Sequence, residues 1–196
     1  MLKRKRRKAR RRRGYNFSGH ARYDLVLVID ANERKKLKPP PFLWWTPRYN
    51  VEPVLLRVGY VVKRIPFGDY YIKGYRRVTC TDRKFSIREL DTNLRSSRAH
   101  EQARRFTNLC KGCKYPIVFL DMRWSDAFPR DWPDAHAVWD TLFRWQARYG
   151  FEIVGPVSGR SPHTRIRATE LLIRMMLARI VRYNKQKGID NGELFE

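Results

Sequence analysis

The sequence predicts an α/β protein, a mixed β-sheet with a central antiparallel hairpin and helices flanking it. Three observations carry that prediction. Continuous apolar runs such as "YDLVLVID" and "YPIVFLD" have the length and composition of buried strands and end in acids. Two strand-like segments, "YYIKG" and "YRRVTCTDRK", meet at Lys73-Gly74 as a hairpin. Between and after them lie segments whose apolar residues recur with the helical period.

The elements follow in order. A basic arm and a joint at Gly14–His20 precede the first strand, Tyr23–Asp30. The next stretch, "ERKKLKPPPFLWWTPRYN", has three consecutive prolines and two adjacent tryptophans and reads as an unusually long loop. Trp44 and Trp45 either face a substrate there or cover one end of the core. Asn50 can cap a short helix in which Val51, Val54, Leu55 and Val58 share a face and which Gly59 stops. "YVVKRI" is then a strand, followed by the hairpin. Ser86–Leu109 is helical with a break near Ser96-Ser97, and "YPIVFLD" is the next strand. A helix starting at Pro133 and ending at Gly150 comes next, then the short strand "FEIV" and a last helix opened by Ser161-Pro162. The apolar stripe of that helix, Ile166 to Ile180, serves as core or as a subunit interface. The organisation is a disordered basic arm over residues 1–20, one folded domain over 21–187 and a tail over 188–196.

Charge narrows the partners. The chain holds 43 Lys and Arg against 19 Asp and Glu, a net +24, and ten of the eleven residues Lys3–Arg13 are basic. Without that block the remainder still has 33 basic and 19 acidic residues, a net +14. Such a field favours a polyanion, because cationic side chains that neutralise phosphates release condensed counterions. No apolar run approaches a membrane span, so the expected setting is soluble, intracellular and DNA-associated: cytoplasm or nucleoid in a prokaryote or virus, nucleus in a eukaryote. Cys80, Cys110 and Cys113 are an odd number, and Cys110-Lys111-Gly112-Cys113 is half of a zinc-ribbon signal without its second half. A turn that happens to hold two thiols is the favoured reading.

The acids fall at strand ends. Asp30 closes the first strand, Asp69 sits at the mouth of the hairpin and Asp82 lies near the end of its second strand. Asp82 and Lys84 are two residues apart, so on a strand both point to one face and Arg83 to the other. Hydrolysing a phosphodiester needs converging carboxylates to hold a divalent metal, and a lysine beside them can position the attacking water and stabilise charge on the phosphoryl oxygens. Asp-x(12)-Asp-Arg-Lys is the arrangement that restriction-endonuclease-like nucleases build.

In order and spacing the chain resembles the XPF-type structure-specific endonuclease domain over about Leu25 to Tyr183. Gly68-Asp69 and Asp82-Arg83-Lys84 are similar to the family's GDx(n)ERK. Asp30 and Glu33, in "VIDANE", match the ends of DxRE, and Arg98 and Gln102 resemble the R-x(3)-Q of the following helix. The chain departs at Asn32, which stands where the family has arginine, and at Asp82, which replaces glutamate. The family's final acid falls on Arg88, with Glu89 one residue later.

The resemblance implies a restriction-endonuclease-like fold and a DNA endonuclease dependent on Mg²⁺ or Mn²⁺ that cuts near duplex/single-strand junctions in repair or recombination. It implies Asp30, Asp69 and Asp82 as metal ligands, with Glu33 and Lys84 completing the catalytic set. Arg83 is expected to bind DNA, and Arg98 and Gln102 are implied as groups that contact the DNA backbone or brace the site. Pairing with a like or related subunit through the C-terminal helices is a further implication. No helix-hairpin-helix pattern appears in the sequence, so the basic arm and surface are expected to supply DNA affinity. The alternatives are a catalytically silent DNA-binding subunit of a nuclease complex and a small basic RNA-binding protein.

Overall fold

The computed structural model describes residues 22–33, 36–46, 53–132, 134–157 and 161–189. The basic arm, the Asn50 cap, the helix start at Pro133 and nearly all of the tail lie outside the described residues. Seven strands and five helices follow one another: β1 (Arg22–Asp30), β2 (Phe42–Trp45), β3 (Val54–Lys63), β4 (Tyr70–Ile72), β5 (Thr79–Lys84), α1 (Ile87–Arg95), α2 (Ala99–Gly112), β6 (Tyr115–Leu120), α3 (Trp124–Ala127), α4 (Ala135–Tyr149), β7 (Glu152–Val154) and α5 (Pro162–Lys187). They form one mixed sheet in the order β2-β3-β1-β4-β5-β6-β7. The hairpin β4–β5 lies at its centre, antiparallel within itself and to β1, while β3 runs parallel to β1 and β5, β6 and β7 run parallel to one another.

Period-two alternation assigns the two faces. Leu27 and Ile29 of β1, with Ile117 and Phe119 of β6, pack against Leu172, Met176 and Ile180 of α5. On the opposite face Val28, Tyr71 and Cys80 meet Leu109 of α2, while Val118 and Leu120 join the cluster formed by α1, α2 and α4. The last helix is therefore chiefly a core element, which leaves Ile166 and Leu171 as its large exposed apolar residues among those described. Both hairpin tyrosines, Tyr70 and Tyr71, are buried.

Two expectations are corrected. The expected helix at Asn50–Val58 is instead the start of β3, a ten-residue strand with β1 on one side and β2 on the other. Leu55 and Leu56, adjacent in sequence and so on opposite faces of the strand, are both buried, as a strand covered on both faces requires. Gly59, read as a helix stop, pairs opposite Val26 inside the ladder. The proline-rich loop also contains a strand: β2 runs antiparallel to β3, with Trp45 buried against the α5 face and Trp44 39% exposed.

The break in the middle helices falls where expected, between Arg95 and Ala99. Ser86 caps α1 by accepting a hydrogen bond from the Glu89 N–H, and Ser161 caps α5 in the same way through Thr164. Gly150 ends α4 in the left-handed conformation.

Candidate active site

Strand directions bring the acids together. β1, β5 and β6 all deliver their C-terminal ends to one edge of the sheet, and β4 starts there. Asp30 is the last residue of β1, Asp69 precedes β4, Asp82-Arg83-Lys84 closes β5 and Asp121 follows β6. Backbone bonds fix the cluster: the Asp30 N–H donates to the Asp69 carbonyl at 2.8 Å, and the Asp121 N–H donates to the Lys84 carbonyl at 2.8 Å.

The glycine before Asp69 is required twice over. Gly68 has φ +70°, and a Cβ there would lie 2.4 Å from the Cys80 sulfur and 3.0 Å from the Thr81 carbonyl oxygen. Gly68→Ala is therefore expected to cost about 2–4 kcal/mol, read as a lowered melting temperature, with the Asp69 carboxylate displaced.

On the α2 side of β5 sit Asp82 and Lys84, as alternation predicts. Lys84 is 1% exposed, its Nζ 2.7 Å from Asp82 Oδ2 and 6.0 Å from the centre of the Phe106 ring. The same Oδ2 accepts a hydrogen bond from Gln102 Nε2 at 3.3 Å. Asp82 Oδ1 is buried and has no hydrogen-bond donor. Asp69 Oδ2 accepts the Arg83 N–H at 2.7 Å. One further cation joins the two acids: Arg105 Nη2 lies 3.6 Å from Asp69 Oδ1 and 3.6 Å from Asp82 Oδ1. Burial, and then the neighbouring Asp82 charge, push the Asp69 carboxyl well above its ordinary range. Burial also works against an ionised Asp82, but the charges of Lys84 and Arg105 outweigh it and hold that carboxyl below its ordinary value.

Asp30 is more weakly held. Its Oδ2 accepts from Asn32 Nδ2 and its Oδ1 from the Ile65 N–H, both at 3.3 Å, so Asn32 orients this acid despite its departure from the family pattern. Two adjoining clefts of about 310 and 510 Å³ share Asp30, Asn32 and Arg105. Asp82 lines the smaller, while Asp69, Lys84 and Glu89 line the larger. Arg98 is exposed at the larger cleft.

Several expected roles change. Arg83 points to the opposite face, where Nε donates to Asp121 Oδ2 at 2.9 Å, Nη2 is ion-paired with the same oxygen and Nη1 meets Glu33 Oε1 at 2.9 Å. Its side chain is shut off from solvent, so it braces the strand ends and does not reach a DNA phosphate. Gln102 is likewise buried and braces Asp82. Of the two candidates for the last family acid, Arg88 stacks over the Trp132 ring, whereas Glu89 lines the larger cleft and accepts the Phe85 N–H at 2.9 Å. Burial raises the Glu89 carboxyl above its ordinary value.

Among the described residues no three His, Cys, Asp or Glu side chains converge closely enough to hold a metal by themselves, so the expected triad of Asp30, Asp69 and Asp82 is not assembled. What the acids do form is a two-carboxylate centre. Mg²⁺ commonly takes one or two protein carboxylates and fills its remaining positions with water and phosphate. The buried Asp82 Oδ1 without a donor, beside an acid that already shares a cation with it, fits such an ion. Burial pushes the Cys110 thiol up to about 11 and the Cys113 thiol up to about 12.

Sequence reasoning missed Arg105 and Asp121. Asp121 carried the same signal as Asp30, an acid directly after a buried strand. Arg105 lies three residues after Gln102, one turn along the same face of α2.

No protein-family model and no curated protein matches the chain. Among solved structures, the fold is similar to that of XPF from Aeropyrum pernix, with a TM-score of 0.50 and 18% identity over 79% of this chain and 60% of that one. It is similar in the same degree to XPF from Aeropyrum pernix in complex with DNA, with a TM-score of 0.50 and 18% identity over 81% of this chain and 65% of that one. The chain thus spans less than two thirds of either neighbour, and the likeness establishes the fold alone: a mixed sheet flanked by helices, arranged as in those two structures.

Proposed function

We propose that the protein is a metal-dependent DNA endonuclease that hydrolyses phosphodiester bonds near duplex/single-strand junctions, such as flaps and forks, in repair or recombination. The observation that carries this reading is the buried Asp69–Asp82 pair with Lys84, set at the strand ends of a chain of net charge +24. The fold's likeness to a protein solved with DNA supports it.

The basic surface gathers the polyanion without regard to sequence, and Arg98, exposed at the larger cleft, contacts its backbone. Asp69 and Asp82 would hold Mg²⁺ or Mn²⁺, with Asp30 alongside in both clefts. When bound, such an ion supplies Lewis acidity and a hydroxide at neutral pH. Lys84, aligned by Asp82, opposes the negative charge that builds on the phosphoryl oxygens and positions the attacking water. Glu33, anchored by Arg83 beside the larger cleft, assists through a water molecule.

Pairing with a second copy or a related subunit completes the proposal. Ile166 and Leu171 of α5 remain exposed for it, as do the stacked pair Trp124 and Phe128 and, on α4, Phe143. Among the described residues no helix is long and apolar enough to cross a membrane.

A second reading, a catalytically silent subunit that grips DNA, is favoured by one observation: protein cations already neutralise both central acids. Labelled flap, fork and plain duplex DNA, incubated with Mg²⁺ or Mn²⁺, separate the two readings. Nicks clustered near the junction of flap and fork, with the plain duplex uncut, are the expected result. Junction binding without cutting in either ion establishes the silent subunit instead.

A further inference from the structure

Arg105 differs from the other donors around the two acids. Lys84 is 1% exposed and fixed on Asp82 Oδ2, and Gln102 is buried against the same oxygen. Arg105 approaches the remaining oxygens, Asp69 Oδ1 and Asp82 Oδ1, from α2, and its side chain is 48% exposed while those of the two acids are 7% and 3% exposed. At 3.6 Å from each oxygen the contact is coulombic attraction without a directional hydrogen bond. A guanidinium equidistant from two carboxylate oxygens stands where an ion shared by them has to sit.

Two buried carboxylates close to one another cannot both stay ionised without a counter-charge. Lys84 satisfies one oxygen of one of them. We propose that Arg105 is a resident counter-ion of the Asp69–Asp82 pair which a divalent cation displaces, so that the site exchanges a protein cation for a metal when it is loaded. This inference rests on the two-carboxylate metal site proposed above. Arg105 borders both clefts, so the released side chain has open space to enter and remains beside the phosphate path. Its long stem and partial exposure let the guanidinium swing aside, and at 3.6 Å it has no directional hydrogen bond to break. The device sets a protein cation against the two buried acids without metal, and its consequence is a lowered affinity for the ion.

The test is Mn²⁺ binding to the full chain, followed by electron paramagnetic resonance of the free ion, together with melting temperatures with and without Mn²⁺. Arg105→Ala is expected to bind Mn²⁺ about three- to tenfold more tightly than the wild type, since a competing state is removed. Its metal-free melting temperature falls, and Mn²⁺ restores it. Arg104→Ala is the control: it removes the same charge from the adjacent, exposed position on α2, and it is expected to change the affinity less than twofold. Equal Mn²⁺ affinities in the wild type and Arg105→Ala overturn the exchange while leaving the metal site standing. Equal gains in both variants overturn it too, because the effect is then the general field of the helix. No Mn²⁺ binding by any of the three proteins removes the metal site itself, and the proposed function with it.

Discussion

Asp82→Asn is expected to lower the single-turnover rate of junction cleavage by about a hundredfold or more, with DNA binding within about twofold of the wild type. The substitution keeps the shape of the side chain and removes the charge that both an incoming ion and Lys84 require. It also strands a fully buried ammonium, because Lys84 loses its 2.7 Å partner. A buried pair broken on one side costs about 3–5 kcal/mol, so stability must be measured beside activity. Asp82→Asn combined with Lys84→Met removes the stranded charge, and this double variant is expected to recover most of the lost stability and none of the activity. Recovery of cleavage in the double variant would show that the single variant failed by unfolding alone.

Arg83→Met is expected to cost as much stability, about 3–5 kcal/mol, a fall in melting temperature on the order of 10 °C. The guanidinium holds Asp121 and Glu33 together beneath the strand ends, and Asp121 Oδ1 already lacks a hydrogen-bond partner. Without Arg83 the Asp121 carboxylate is left buried and unpaired. Pairing Arg83→Met with Asp121→Leu is expected to return a large part of the stability, and a thermal double-mutant cycle measures the coupling. A variant that melts like the wild type and only binds DNA more weakly would restore the phosphate-contact role that the sequence pattern assigned to this arginine.

How much was legible in the sequence depends on whether the signal was local. The stretches Leu25–Ile29 and Ile117–Leu120 are short, unbroken apolar runs rich in β-branched residues, and α1, α4 and α5 carry caps at Ser86, Gly150 and Ser161. β3 imitates a helix in the sequence because Val54, Leu55 and Val58 satisfy a helical period over one turn. The buried Leu56 that breaks that period is explained only by the neighbours β1 and β2, which lie far away in sequence.

The site divides in the same way. Asp30, Asp69, Asp82 and Lys84 announce themselves as strand-end acids and as a same-face pair. In a chain with 43 Lys and Arg, by contrast, no single arginine stands out, and the roles of Arg83 and Arg105 come from the tertiary placement of Asp121, Glu33 and α2. Gly68 is visible in the sequence as half of a motif, and its physical reason, the Cys80 sulfur where a Cβ would go, belongs to the packed structure.

The most direct test of the central claim, that these acids hold a metal against a phosphodiester, is single-turnover cleavage of an end-labelled flap substrate by excess full-length protein. Wild type and Asp82→Asn are run side by side, in Mn²⁺ and in chelator. The account predicts one dominant product near the junction with wild type and Mn²⁺, and intact substrate in the other three reactions. The same product from Asp82→Asn, or from wild type in chelator, would contradict it, because the chemistry would then belong to another site or need no metal.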